Sequence, residues 1–248
     1  MAEAVDMWPL GKFRAAAATA AGAGAASTAV VLTTGGMNPP HRGHVQLLHE
    51  ARRRLEAAGC AVVGLWLSPS HDSYVQPKAE ALQTVGLSAA FRLELARCAV
   101  ADDPLVAIGA WEASVEGFRN FPEVADALQA ELQAVCEREQ LLTPAVFYAC
   151  GTDMADRCGL YSGLEPHGVV VVPRDGEVPG PEDPAVRVLV AVPAAGEVAG
   201  FSSTRVRAAI AAQDHGYLAR ALSPHAAAFL LEPTAEALHR FAADFRQL

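Results

Sequence analysis

The sequence predicts a single α/β domain, a doubly wound parallel sheet with helices on both faces. Three observations predict it. Short β-branched runs are apolar throughout rather than alternating, helical patterns lie between them, and no internal repeat or composition break separates a second unit. Strands buried on both faces read as continuous apolar runs, and a parallel sheet needs a crossover between successive strands. With 248 residues, 52% hydrophobic and 19% charged, the chain can bury one sizeable core.

The first strand is expected at residues 29–33, ended by Gly35-Gly36. From residue 44 to 58 the pattern is helical, with Val45, Leu48 and Leu55 on one side and Gly59 as the C-cap. A second strand is read at 60–67, followed by a polar loop over 71–85 and a helix over 88–100. Residues 105–108 and 145–150 are further strands, with a long amphipathic helix over 122–140 between them. Two more strands, 169–172 and 188–192, flank a Gly/Pro/acidic loop, and two or three helices follow from residue 203. The order of these elements is that of a Rossmann-like sheet. Residues 1–28 form an Ala/Gly-rich N-terminal extension, expected to be mobile or loosely helical, and residues 29–248 the α/β domain.

Composition narrows the function. The 28 acidic and 19 basic side chains give a net charge of -9, which argues against a nucleic-acid partner. A small phosphorylated ligand stays open, because a few arginines at one site can hold it. The uncharged stretch 15–40 begins with Ala and Gly, too weakly apolar for a membrane span, so no membrane association is expected. Cys60, Cys98, Cys136, Cys150 and Cys158 are odd in number and contain no C-x-x-C pair, which points to a reducing compartment. The cytoplasm or nucleus is expected, with organelle targeting by the extension left open. A homo-oligomer is also left open.

Two segments carry candidate chemistry. The first strand runs through Gly35-Gly36-Met37-Asn38-Pro39-Pro40 into His41-Arg42-Gly43-His44 and a helix. Glycines after a parallel strand let backbone approach a ligand, and the helix presents free N–H groups to an anion. His41 and His44 are three apart, so both can face one point on the first helical turn. Imidazole donors there would neutralise charge building on a phosphoryl group in transfer. The second segment is Phe201-Ser202-Ser203-Thr204-Arg205-Val206-Arg207. Ser202 or Ser203 is a natural N-cap, and hydroxyls, N–H groups and arginines at one helix end suit a polyphosphate. Arg205 and Arg207 are two apart and point in different directions on a regular helix. A plain capped helix with solvated arginines is the alternative.

Together these segments resemble the H-x-G-H nucleotidyltransferase superfamily, the second matching its I-S-S-T-x-I-R motif. Between them, Ser68-Pro69-Ser-His-Asp72-Ser-Tyr74, Trp111-Glu112, Gly151-Thr152-Asp153 and Arg174-Asp-Gly176 occur in order. This set is most similar to eukaryotic-type nicotinamide/nicotinate mononucleotide adenylyltransferases. The resemblance implies attack of the 5′-phosphate of nicotinamide mononucleotide on the α-phosphorus of ATP, giving NAD and pyrophosphate. It implies Mg²⁺ as the cofactor, carried on the triphosphate through water, and no metal ligated by protein. It implies catalytic roles for His44, His41 and Arg207. ATP contacts are implied at Gly35, Gly36, Met37, His41, His44, Gly151, Asp153, Ser203, Thr204, Arg205 and Arg207. Acceptor contacts are implied at Trp111, Glu112, Tyr74, Lys78 and Arg174.

Each carried-over role has a bland counterpart. Asp153 also reads as a helix cap, Asp72 and Tyr74 as turn residues, Arg92 as a solvated helix residue, and Arg174 as part of an Asp-Gly turn. Trp111 follows the apolar run 105–110, so it is expected at a strand's C-terminal end, where its indole suits a pyridinium ring. The chain departs from the family after Tyr74, where Val75-Gln76-Pro77 precede Lys78. It also lacks an N-L-W segment after Gly151-Thr152-Asp153, reading Cys158-Gly-Leu-Tyr161-Ser-Gly-Leu164 instead. Three readings compete: this enzyme, a superfamily enzyme with another acceptor (nicotinate mononucleotide or phosphopantetheine), and a nucleotide-binding or chaperone-like relative with weak turnover.

Overall fold

In the computed structural model, which describes residues 6–194 and 196–248, the strands are Thr28–Gly35 (β1), Ala61–Pro69 (β2), Val106–Ile108 (β3), Ala145–Cys150 (β4), Gly168–Val171 (β5) and Val188–Val190 (β6). They form one six-stranded sheet in the order β3-β2-β1-β4-β5-β6, parallel throughout. The chain moves outward from β1 through β2 to β3, then crosses back to β4 on the other side of β1. The crevice between the C-terminal ends of β1 and β4 is therefore the topological switch point, the position at which open α/β sheets bind ligands.

The first helices are Gly11–Gly22 (α1), Arg42–Ala57 (α2), Asp72–Ala81 (α3), Ala89–Ala99 (α4), Trp111–Ser114 (α5), Phe121–Glu139 (α6) and Thr152–Cys158 (α7). Then come Ser203–Ala211 (α8), His215–Ala221 (α9), Pro224–Leu231 (α10), Ala235–Arg240 (α11) and Ala242–Phe245 (α12). Alternation along β1 divides the core. Ala29 and Val31 face the layer of α2 and α4, while Val30 and Leu32 face that of α1 and α6. A third apolar cluster joins Phe91 and Leu95 of α4 to Val206, Leu218 and Phe241 of the C-terminal helices. Each side chain of this size that is fully buried contributes about 1.5–3 kcal/mol.

Three expectations need correction. Over its described part the N-terminal extension is a packed helix rather than a loose one. Alanine-rich α1 packs on β2 and buries Phe13 and Ala17, Trp8 is buried in the segment before it, and Phe13 meets Trp66 at 6.1 Å between ring centroids. Alanine favours the helix and the aromatics hold it to the sheet. Residues 1–5 of that extension lie outside the described residues. The expected loop over 71–85 contains α3, capped at His71, whose Nδ1 accepts the Ser73 N–H at 3.0 Å. Five short helices, rather than two or three, close the chain, because Asp214, Ser223 and Thr234 each cap a new one.

Both outer strands are covered by polar side chains or backbone. On β3, Lys12 Nζ donates to the Val106 carbonyl at 2.7 Å and to the Val100 carbonyl at 3.2 Å. On β6, Asp183 exchanges backbone bonds with Val188, and Glu182 accepts the Val190 N–H at 2.6 Å. Arg54 donates to the Val190 carbonyl at 3.0 Å.

Candidate active site

The turn after β1 is built to hold two imidazoles together. Met37 sits at φ 44° and is buried, which turns the chain sharply after the glycines. Asn38 fixes the next step, donating to the Val85 carbonyl at 2.6 Å and accepting from the Leu87 N–H at 3.0 Å. His41 is the N-cap of α2, and its Nδ1 accepts the Gly43 N–H at 3.1 Å. The His41 N–H in turn donates to Nδ1 of His44 at 3.1 Å, and the ring centroids lie 3.9 Å apart. A Cβ on Gly43 would come within 2.9 Å of the His41 ring, so this position needs glycine for close approach.

Burial first, then the neighbouring His44 at His41 and the charge of Arg174 at both, hold the imidazoles down, His44 to about 4 and His41 to about 2. Each ring is therefore neutral at pH 7. Because each Nδ1 accepts a backbone N–H, the proton sits on Nε2, leaving that nitrogen as a donor.

Helix α8 is fastened to the same turn. Ser203 Oγ donates to the Pro39 carbonyl at 2.8 Å, and Arg207 donates to the Asn38 carbonyl, to Thr84 Oγ1 at 2.8 Å and to Thr204 Oγ1 at 3.3 Å. Ser202 caps the helix by accepting the Arg205 N–H at 3.2 Å. Arg205 points elsewhere, its guanidinium 5.2 Å from the Tyr217 ring centroid and bonded to the Gly200 carbonyl.

Two cavities meet at the switch point, sharing His44, Leu47 and Gly151. The first, of about 260 Å³, is lined by His41, Asp153, Arg174, Ser202 and Ser203 as well as the shared residues. The second, of about 430 Å³, is lined by Gly35, Tyr74, Lys78 and Glu112, together with Arg119 and Arg157. The structure thus brings His41, His44, Gly151, Asp153 and Ser203 around one space, and Gly35, Tyr74, Lys78 and Glu112 around its neighbour. Arg174, expected with the acceptor group, lies with the first set.

Other expected site residues line neither cavity. Gly36 lies behind the turn, where its carbonyl accepts from Arg92 at 2.9 Å. Thr204 and Arg207 face a separate shallow groove with Thr84. Trp111 begins α5, packs with the α1/α6 layer and stacks on Trp8 at 6.5 Å and 17°.

Arg92 and Asp72 are the clearest departure from the bland readings. Arg92 is wholly buried, donating to Asp72 Oδ1 at 2.8 Å, to Gly36 O, and to Leu87 O at 3.0 Å. A guanidinium persists in a core only when its donors find acceptors, and these three bind α3, α4 and the glycine turn together. Glu112 is buried too, with Ser68 Oγ donating to its carboxylate at 3.0 Å. Burial raises its carboxyl to about 7, against the hydrogen bonds of Ser70 and Ser68 and the charge of Arg92.

Phe118, Arg119 and Arg157 were not anticipated as lining residues. Phe118 stacks on Tyr74 at 4.9 Å, and Arg157 pairs with Asp153 at 3.5 Å. The signal for the first two was an exposed aromatic–arginine pair in the short connection before Asn120, which caps α6. Among the described residues, no three His, Cys, Asp or Glu side chains converge as a metal site. No helix among them is long and apolar enough to cross a membrane.

Comparison with known proteins bears on the family and the fold. The sequence profile of the cytidylyltransferase-like family matches residues 32–209. A nicotinamide/nicotinic acid mononucleotide adenylyltransferase of Oryza sativa subsp. japonica is 30% identical over 131 residues, 52% of this chain and 48% of that protein. One of Arabidopsis thaliana, with the same name, is 33% identical over 127 residues, 50% of this chain and 49% of that protein. The matched region thus spans about half the length of each relative. Among solved structures, Plasmodium falciparum nicotinic acid mononucleotide adenylyltransferase complexed with NaAD superposes with a TM-score of 0.53 at 11% identity. That match covers 86% of this chain and 98% of that chain, and bears on the fold alone.

Proposed function

Because the chain belongs to the cytidylyltransferase-like family, we propose that it transfers the adenylyl group of ATP to nicotinamide mononucleotide, forming NAD and pyrophosphate. The observation that carries this reading is the meeting at His44 of two cavities, each lined in part by charged side chains. One space suits a triphosphate and the other a second phosphorylated ligand, with the imidazole between them. The acceptor's 5′-phosphate oxygen attacks the α-phosphorus, the α–β bridging bond breaks, and pyrophosphate leaves with its electron pair. No protein nucleophile is needed, so the residues position the reactants and stabilise charge.

In this reading His44 donates from Nε2 to the α-phosphoryl oxygens, while His41, Ser203, Ser202 and Arg174 face the β- and γ-phosphates. Lys78, Arg119 and Arg157 bring positive charge to the acceptor's side. Mg²⁺ fits as an ion carried in on the triphosphate, because among the described residues Asp153 is the single carboxylate lining the first cavity. When bound it neutralises phosphate charge.

The amide form of the acceptor is favoured by Glu112. Its carboxyl lies at about 7. In its ionised form, above that pH, it accepts from a carboxamide and repels the carboxylate of nicotinate, so the preference for the amide strengthens as pH rises. The names of the rice and Arabidopsis relatives cover both forms, so nicotinate mononucleotide is the second reading.

Pyrophosphate release from ATP, measured with a panel of acceptors, tests the proposal. Nicotinamide mononucleotide is expected to give the highest kcat/KM, nicotinate mononucleotide less, and phosphopantetheine none. Preference for phosphopantetheine, or ATP binding without turnover of either pyridine nucleotide, overturns it.

A further inference from the structure

We propose that Trp8 is a positioning residue for the acceptor end of the site, acting through Trp111 on Glu112; this inference rests on the function proposed above. The N-terminal segment touches the β3–α5 connection at three consecutive residues. Trp8 covers Gly109, where an added Cβ would lie 2.4 Å from the indole. The Met7 carbonyl accepts the Ala110 N–H at 2.9 Å. Trp8 then stacks on Trp111 at 6.5 Å and 17°. The next residue in the chain is Glu112, which lines the second cavity.

The support is needed because α5 is weak by itself. It spans four residues, Trp111–Ser114, and Ala110 at its start offers no side-chain cap. A single turn is unfavourable in isolation, since ordering its backbone costs more than its hydrogen bonds return. Its support comes from outside: Trp8 packs against Trp111, Ser68 bonds Glu112, and Ala110 and Ala113 are buried in the cluster that includes Leu93 and Ala96 of α4. Trp8 is 4% exposed, so its packed ring is part of the wall behind the site rather than a contact for ligand. Trp111, engaged with Trp8, acts as the link between them.

Steady-state kinetics of the full chain, with ATP and the acceptor varied separately, tests this. Trp8→Ala should raise the acceptor KM about tenfold while the ATP KM stays within about twofold, and Trp8→Phe should recover most of the loss. Gly109→Ala should reproduce the acceptor effect without altering Trp8, because the new methyl displaces the indole. Lys12→Met loosens the same arm away from the stack and should leave the acceptor KM unchanged, even with a lower Tm. If Trp8→Ala does not fold, Trp8→Phe and Gly109→Ala decide between a graded acceptor defect and none. An unchanged acceptor KM in folded Gly109→Ala, or an equal rise in both KM values, overturns the proposal. A wild-type chain that turns over neither pyridine mononucleotide overturns the function reading, and this inference with it.

Discussion

His41 and His44 hold each other through the backbone: the His41 N–H donates to Nδ1 of His44, and the Gly43 N–H donates to Nδ1 of His41. The two rings are thereby fixed as Nε2–H donors without being charged. A neutral donor already aimed at its target needs no reorganisation when charge develops, which is what makes such groups effective in transfer reactions.

His44→Ala should therefore fold normally and lower kcat by about 10²–10³-fold, the usual cost of one donor to developing charge. Circular dichroism establishes the fold and single-turnover kinetics the chemical step. Near-normal turnover in a folded variant removes His44 from the reaction.

Arg205→Ala and Arg207→Ala should differ. Arg207 ties the Asn38 carbonyl to Thr84 and Thr204, so its loss loosens the turn that carries both imidazoles. The expected outcome is a lower Tm together with a raised ATP KM. Arg207→Lys should not restore either, since an ammonium lacks the planar fork that reaches several acceptors. Arg205→Ala, which loses one carbonyl bond and a ring contact, should change the ATP KM by less than about threefold, within the ordinary range of an exposed site. Equal effects in the two variants contradict this division.

Glu112 gives a pH signature of defined sign. Its folded carboxyl titrates at about 7 against an ordinary value of 4.5. Between those values the folded state holds a proton that the unfolded state has released, so this group's contribution to stability falls as pH rises. At about 1.4 kcal/mol per pH unit the whole window corresponds to roughly 3 kcal/mol. Glu112→Gln cannot ionise. The stability of wild type minus that of Glu112→Gln should decline from pH 4.5 to 7 and then level off. His41 and His44 have lowered values, so their contribution is present above about 6.5 and is lost as pH falls toward 4. Both proteins carry that opposite slope, and it cancels in the difference. A flat difference curve in urea unfolding contradicts the buried-carboxyl assignment.

Asp72→Asn should destabilise the protein by leaving Arg92 buried without its counter-charge. The loss should fall below the roughly 3–5 kcal/mol of a wholly buried pair, because the Asp72 side chain is 37% exposed. Arg92→Met with Asp72→Asn should recover part of it. Thermal unfolding of the three variants checks this, and a harmless Asp72→Asn would show that the other acceptors alone satisfy Arg92.

The sheet was legible in the sequence because its strands are apolar on both faces. Residues 145–150 match β4 end to end, and 29–33 lies within β1. The His41–His44 turn was legible because local spacing alone brings the rings together. What escaped depends on partners distant in sequence. Arg92 lies on a helix whose pattern permits a solvated face, and only the approach of Asp72, Leu87 and Gly36 makes it a core residue. Trp111 stands beside the predicted strand end, but Trp8, about a hundred positions earlier, takes its ring. The helix α3 was hidden by Pro77 within it, a residue that breaks the helical pattern more often than it joins one.

The polar covering of β3 and β6 bears on how the molecule meets its own kind. An outer strand with free N–H and C=O groups is a template on which another chain can add a strand, the first step toward fibrils or swapped dimers. Here Lys12 occupies the Val106 carbonyl on one margin, and Asp183, Glu182 and Arg54 occupy Val188 and Val190 on the other. Neither margin offers those groups to a neighbour. Pairing of a second copy along either margin would first have to break these bonds.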